Sequence, residues 1–261
     1  VGSEMCIRDR STTLWVTGSF DNPAGFAACL CAGFPFVGFL LSDSNKYIRY
    51  VGGLIGFVIV IAVILSQSRA GIMSIAFICF ILLNMKFFHK RWVKYLSLLC
   101  FALLLSGCYW MKKDSADGRL LIWRCSVSMV KDAPWLGHGI GSFEARYMDY
   151  QADYFRQYGL NRYSMLADNV KHPFNEYLGV LLNFGFVGLL MILALITLLI
   201  YCYKKHPCAE KRIAFYSLIS IGVFSFFSYT FTYPFTWIVT FLCIIIPVSY
   251  THLTLPTKRI V

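Results

Sequence analysis

The sequence predicts an all-α protein: a polytopic bundle of about seven membrane helices carrying one large, partly helical loop. Composition is the first ground for this. Of 261 residues, 58% are hydrophobic and 14% charged, and the mean hydropathy is +0.62. Soluble domains are nearer a quarter charged, and disordered chains are poorer still in apolar residues. The second ground is that the apolar residues gather in runs long enough for a bilayer. The formal net charge of +11 suggests nucleic acid, but membrane proteins concentrate Lys and Arg in cytoplasmic loops for topological reasons. No nucleic-acid partner is expected.

Residues 1–10 (VGSEMCIRDR) and 248–261 (VSYTHLTLPTKRIV) do not share the pattern between them. They resemble translated sequencing-adapter tails and are set aside as foreign flanks. The fold is therefore read from 11–247, expected to be one membrane domain cut at both ends. Apolar runs recur at 24–41, 48–65, 70–85, 95–111, 177–203, 213–230 and 234–247. A spanning helix needs about 20 apolar residues, within roughly 17–25. Runs 70–85 and 234–247 are short, and 177–203 is long enough to tilt. Lipid offers no partner to backbone polar groups, so each run is expected to be a helix.

Basic residues orient the bundle. The turn at 41–49 carries Lys46 and Arg49; 86–94 carries Lys86, Lys90, Arg91 and Lys94; 204–212 carries Lys204, Lys205, Lys211 and Arg212. The short turns at 66–69 and 231–233 hold only Arg69. By the positive-inside rule the three basic turns are cytoplasmic and residues 112–172 form a periplasmic loop. A loop of that length is expected to be functional rather than structureless. Within it Leu120, Trp123, Val127 and Val130 recur at helical spacing until Pro134 and the glycines beyond it, predicting a helix over 119–131.

Sorting by membrane side narrows the chemistry. His252 lies in the flank, and His89 and His206 lie in cytoplasmic turns, which leaves His138 and His172 on the outer face. Most of the ten cysteines lie in apolar runs without zinc-type spacing and read as small core residues. Arg69, in SQSRAG, reads either as an arginine snorkelling to headgroups or as part of a buried anion site, with Gly71 allowing close backbone approach. Arg119 reads as a solvated loop charge, the default for the basic residues of this loop. Arg124, five residues on, is its nearest rival and is rotated away from it on a helix. GHGIG has no preceding strand and no following Lys-Ser or Lys-Thr, so it reads as a flexible turn with a structural His138. His172 heads HPFNEYL: Pro173 suits a first helical turn and Glu176 its positive end. These residues either simply start a membrane helix or place a proton acceptor where a loop meets the bilayer.

The order GSFDNPAGFA, SRAG, R-x3-W with PWLGHGIGSF, then HPFNEYL followed by NFGFVGLL resembles the O-antigen ligase and polymerase superfamily of bacterial envelope enzymes, over most of residues 18–190. The resemblance implies a multi-pass protein of the bacterial inner membrane with more helices than are present here. It implies glycan transfer from a polyprenyl-pyrophosphate-linked donor to a lipid or glycan acceptor in lipopolysaccharide or surface-polysaccharide synthesis, without cofactor or essential metal. Its functional residues carry over to Arg69, Arg119 and His172 as catalytic. Arg69, Arg119, Arg124, Asn175 and Glu176 are the substrate-binding candidates. The stretch that often reads Asn-Pro-Asn is Asn22-Pro23-Ala24 here, and a frequent His-Asn pair is Phe174-Asn175. Polymerases and protein O-oligosaccharyltransferases share these motifs. A non-catalytic glycolipid transporter would place ionisable residues within its helices, and these runs hold almost none.

The chemistry suits the residue types. Guanidinium forks bind phosphate oxygens with two aligned donors. Paired arginines can thus hold a pyrophosphate and stabilise its charge as it leaves. A histidine can accept the proton of an acceptor hydroxyl.

Overall fold

The computed structural model describes residues 17–20, 22–86, 91–111, 113–205 and 208–252. The flank at 1–10 and most of that at 248–261 lie outside them, as do His89, Lys90 and His206; the last helix continues through His252. All regular structure among the described residues is helical. Helix α1 (Pro23–Gly33) runs through one 3₁₀ turn into α2 (Val37–Leu41), followed by α3 (Lys46–Leu65), α4 (Arg69–Lys86) and α5 (Arg91–Met111). The loop holds α6 (Lys113–Asp132) and α7 (Ser142–Tyr158), and α8 (Glu176–Lys205), α9 (Ala209–Phe227) and α10 (Pro234–His252) follow.

Local chemistry starts these helices. Asn22 Oδ1 accepts from the Ala24 amide at 2.8 Å with Pro23 in the first turn, and Asn45 Oδ1 accepts from Tyr47 at 2.9 Å. Among the described residues three segments, Pro23–Leu41, Lys46–Leu65 and Glu176–Lys205, are long and apolar enough to cross a membrane; the apolar helices Arg69–Met85, Trp92–Gly107 and Pro234–Val248 are shorter. Leu54, Phe57, Val58 and Ile61 of α3 remain exposed, as side chains facing lipid would.

Helices α1, α4 and α9 interlock through small residues. The Ser217 and Ser220 hydroxyls donate to the Ala32 and Cys31 carbonyls at 2.6 and 2.7 Å, and Ser74 donates to the Ser220 carbonyl at 2.8 Å. Without water competing, such hydroxyl bonds and close backbone approach hold helices together in lipid. Gly71 belongs to this seam. A Cβ there would stand 2.8 Å from Val63 and 3.1 Å from Ala27, so its smallness serves helix packing and not an anion site.

The run at 177–203 is not one tilted helix. Thirty continuous residues would rise about 45 Å, well beyond a hydrocarbon core of about 30 Å. Instead α8 breaks at Gly185, with φ 61° and ψ −158°. The 134–139 turn docks into the break: His138 and Gly139 amides donate to the Leu182 and Asn183 carbonyls at 2.7 and 3.1 Å, and Phe186 and Val187 amides donate to the Pro134 and Trp135 carbonyls at 2.8 and 3.2 Å. Backbone groups freed by the break are thus satisfied. GHGIG is therefore a fixed plug rather than a flexible turn. His138 is held in it, Nε2 against the Met129 carbonyl at 2.8 Å and Nδ1 against Arg146 at 2.9 Å.

The loop has its own core. Leu121, Ile122, Cys125 and Met129 of α6 pack with Phe143, Tyr147, Tyr163, Val170 and Leu182. The helix expected over 119–131 is present within α6, and of the residues that marked it Leu120 and Val127 are exposed while Trp123 and Val130 are partly buried against this core. Leu41, Met85 and Arg212 line one cavity at one end of the bundle, bringing together the ends that carry the basic turns. Arg69 and Arg119 line another at the opposite end, where α6 and α7 sit.

Candidate functional site

Arg69 opens α4 at a tight corner. The preceding turn holds Gln67 at φ 51° and buries Ser66 and Ser68, which sets the arginine at the mouth of the bundle. Its Nη2 donates to Ser115 of α6 at 2.7 Å. Arg119, one turn further along α6, donates from Nη1 to the Phe227 carbonyl at 2.8 Å, at the end of α9. The two arginines line one cavity of about 210 Å³ with Met73, Leu105, Tyr109 and Trp123. Burial, and then the neighbouring Arg69, lowers the Arg119 pKa to about 10; the group stays charged at neutral pH. No carboxylate lies within ion-pair distance of Arg119 among the described residues. The cavity is a desolvated positive site suited to a multiply charged anion.

His172 is half-buried and lines a separate polar cavity of about 160 Å³ with Pro173, Asn175, Glu176, Tyr229 and Thr232. Burial holds its imidazole below the ordinary value of 6.5; Glu144 opposes this and Lys171 adds to it. The ring is therefore neutral at pH 7 and able to accept a proton. Asn175 caps α8, its Oδ1 accepting from the Tyr177 and Leu178 amides at 2.9 and 3.1 Å. Glu176 is the first helical residue and accepts from the Phe231 amide at 2.8 Å. Pro173 does not occupy the first turn as the sequence suggested. It precedes the Asn175 cap, and Phe174 between them turns the chain with φ 51°, a left-handed conformation that non-glycine residues seldom adopt and that clusters at functional sites.

Two aromatic rings join the cavities. The Arg119 guanidinium lies 5.2 Å from the Phe174 ring centroid. Phe174 meets Tyr229 edge-on at 5.3 Å, and His172 stacks on Tyr229 at 4.9 Å with 25° between the planes. Asn22 donates to the Tyr229 hydroxyl at 2.7 Å. Arg69, Arg119, His172, Asn175 and Glu176 thus converge on one end of the bundle, in two adjoining cavities. Arg124 does not join them; it bonds Tyr154 at 3.3 Å on the outer side of α6. Tyr229 and Asn22 are the members that sequence reasoning missed as contacts. They are 207 residues apart, and no local pattern marks Tyr229 within its aromatic-rich turn.

The arginine cavity opens into a larger apolar one of about 590 Å³ between α4, α5, α8 and α9, with Met73, Leu105 and Phe227 common to both. No group of three or more His, Cys, Asp or Glu side chains that could hold a metal occurs among the described residues. A family model described as O-antigen ligase matches residues 24–193, well over half of the chain. No curated protein matches it.

Proposed function

Since the chain belongs to the O-antigen ligase family, we propose that it transfers a glycan from a polyprenyl-pyrophosphate carrier to an acceptor hydroxyl at the outer face of the bacterial inner membrane. The observation that carries this reading is the joining of two cavities. A pair of arginines from different elements, Arg119 desolvated by burial and Arg69 beside it, stands at the mouth of an apolar cavity between membrane-type helices. That arrangement suits a ligand with a dense anionic head and a long hydrocarbon tail.

In this reading the carrier pyrophosphate lies between Arg69 and Arg119, and the prenyl tail enters the 590 Å³ cavity. As the bond between the anomeric carbon and the phosphate oxygen breaks, negative charge grows on the leaving pyrophosphate, where both guanidinium groups stabilise it. The acceptor hydroxyl attacks the anomeric carbon from the His172 side. His172 takes the hydroxyl proton and afterwards returns it to water. Asn175 and Glu176 shape the acceptor cavity. Lipopolysaccharide and surface polysaccharide are the pathways such a reaction serves.

The test keeps charge and removes geometry. Arg69→Lys and Arg119→Lys in the full-length protein retain a cation but lose the two-pronged donor. Transfer by purified protein from glycan-bearing carrier should fall by about 10²-fold in each. Wild-type rates in both variants would defeat the reading.

A further inference from the structure

The arginine cavity has a second neighbour. Through Leu120 and Trp123, neither of which lines the apolar cavity, it adjoins a groove of about 530 Å³ between α6 and α7. Three spaces therefore adjoin in series: apolar, cationic, and then this groove, whose aromatic and polar lining is partly exposed.

The groove is built differently from either neighbour. Tyr150, Tyr154 and Tyr158 recur every four residues along α7, so they stand on one face, and the Tyr154 and Tyr158 rings lie 4.9 Å apart. Polar groups stand among them: Asp153 and Gln157 from α7, and Arg124, Ser128 and Lys131 from α6. The facing apolar residues are Leu120, Trp123 and Val127. They mark the helical periodicity of 119–131, and the loop core takes Leu121, Ile122, Cys125 and Met129 from the same helix. Trp123, Tyr150 and Tyr154 are partly buried against that core and line the groove as well, while Leu120 and Val127 are exposed. Tyr158 is 62% exposed and Val127 44%.

We propose that this groove binds the sugar chain of the lipid-linked donor. The proposal rests on the carrier reading above, because continuity with the arginine cavity identifies the occupant. A glycan is attached directly to the pyrophosphate, so sugars leave the arginine cavity on the side opposite the tail. Pyranose rings present apolar C–H faces, which pack on aromatic rings, and hydroxyl edges, which need carboxylate, amide and hydroxyl partners. The groove offers both. From Tyr150 to Tyr158 the helix rises about 12 Å, enough for more than one ring. Arg124, rotated away from the arginine pair, then contacts the glycan rather than the pyrophosphate.

Full-length protein in nanodiscs, titrated with two probes, tests this. One probe is bare polyprenyl pyrophosphate; the other is the same carrier bearing a short oligosaccharide of hexoses. Wild-type protein should bind the glycan-bearing carrier about tenfold more tightly. Tyr158→Ala and Gln157→Ala should each lose most of that difference while binding bare carrier as the wild type does, and Tyr158→Trp should keep it. Equal wild-type affinity for the two probes overturns the groove assignment and leaves the carrier reading standing, as do Ala variants that discriminate as well as wild type. Failure of wild-type protein to bind bare carrier overturns the carrier reading, and the groove assignment with it.

Discussion

His172 and Tyr229 show how far single residues were legible. Sorting by membrane side left His138 and His172 as candidates, and only the family resemblance singled out His172. Its stacking partner was invisible, because the turn that supplies Tyr229 lies beyond α9. The stack and the burial that lowers the imidazole pKa make a direct prediction. A general base contributes roughly 10²–10⁴-fold, so His172→Ala should slow transfer by about that much. The base works only unprotonated. Wild-type transfer should therefore rise with pH and level off, with the midpoint below the ordinary 6.5, and His172→Ala should lose that acid limb. A pH–rate profile of both proteins checks this; an acid limb unchanged in the variant would assign it to another group. His138→Ala should leave the limb in place, since both ring nitrogens of His138 are engaged by Met129 and Arg146.

At the scale of elements, apolar runs located the helices well, because lipid allows such a run little other than a helix. They failed at Gly185. In NFGFVGLL every neighbour is apolar, so hydropathy carries no mark of a break, and the partner that stabilises it lies in the 134–139 turn. The 119–131 periodicity likewise located α6 but said nothing of which face the loop core takes, that of Leu121, Ile122, Cys125 and Met129. The plug at the break is testable. A Cβ on Gly185 would stand 2.3 Å from the Trp135 carbonyl oxygen, and one on Gly137 would stand 2.6 Å from the Asn183 backbone, both at positive φ. Gly185→Ala or Gly137→Ala should destabilise the docked turn by about 1–3 kcal/mol. Faster hydrogen exchange at the His138 and Phe186 amides would report it. Gly139→Ala is the control for backbone strain alone: its φ is 89° but its added Cβ meets open space, so its effect should be smaller. Equal protection in all three variants would mean that the plug does not hold the break.

At the scale of the whole molecule, the sequence indicated a membrane bundle with two unlike ends but not the cavities between them. Composition gave the membrane, and the basic turns separated one end from the other. The cavities are built by residues far apart in sequence, such as Arg119 and Phe227, 108 positions apart, and no run or motif contains them. Their order does constrain topology. A carrier tail in the bilayer, a pyrophosphate at the arginines and a glycan in the groove require α6 and α7 to face the compartment where glycans are joined. The loop should thus be periplasmic and the α2–α3 turn cytoplasmic. Single cysteines placed at Ser44, in that turn, and at Ala152, on the exposed side of α7, decide the matter in a full-length protein freed of native thiols. In cells whose outer membrane alone is permeabilised, an impermeant maleimide should label position 152 and leave 44 untouched until the inner membrane is opened. Labelling at 44 without labelling at 152 would invert the molecule. The arginines would then face the cytoplasm, against the basic-residue rule, and the donor would have to bind before it crosses the bilayer.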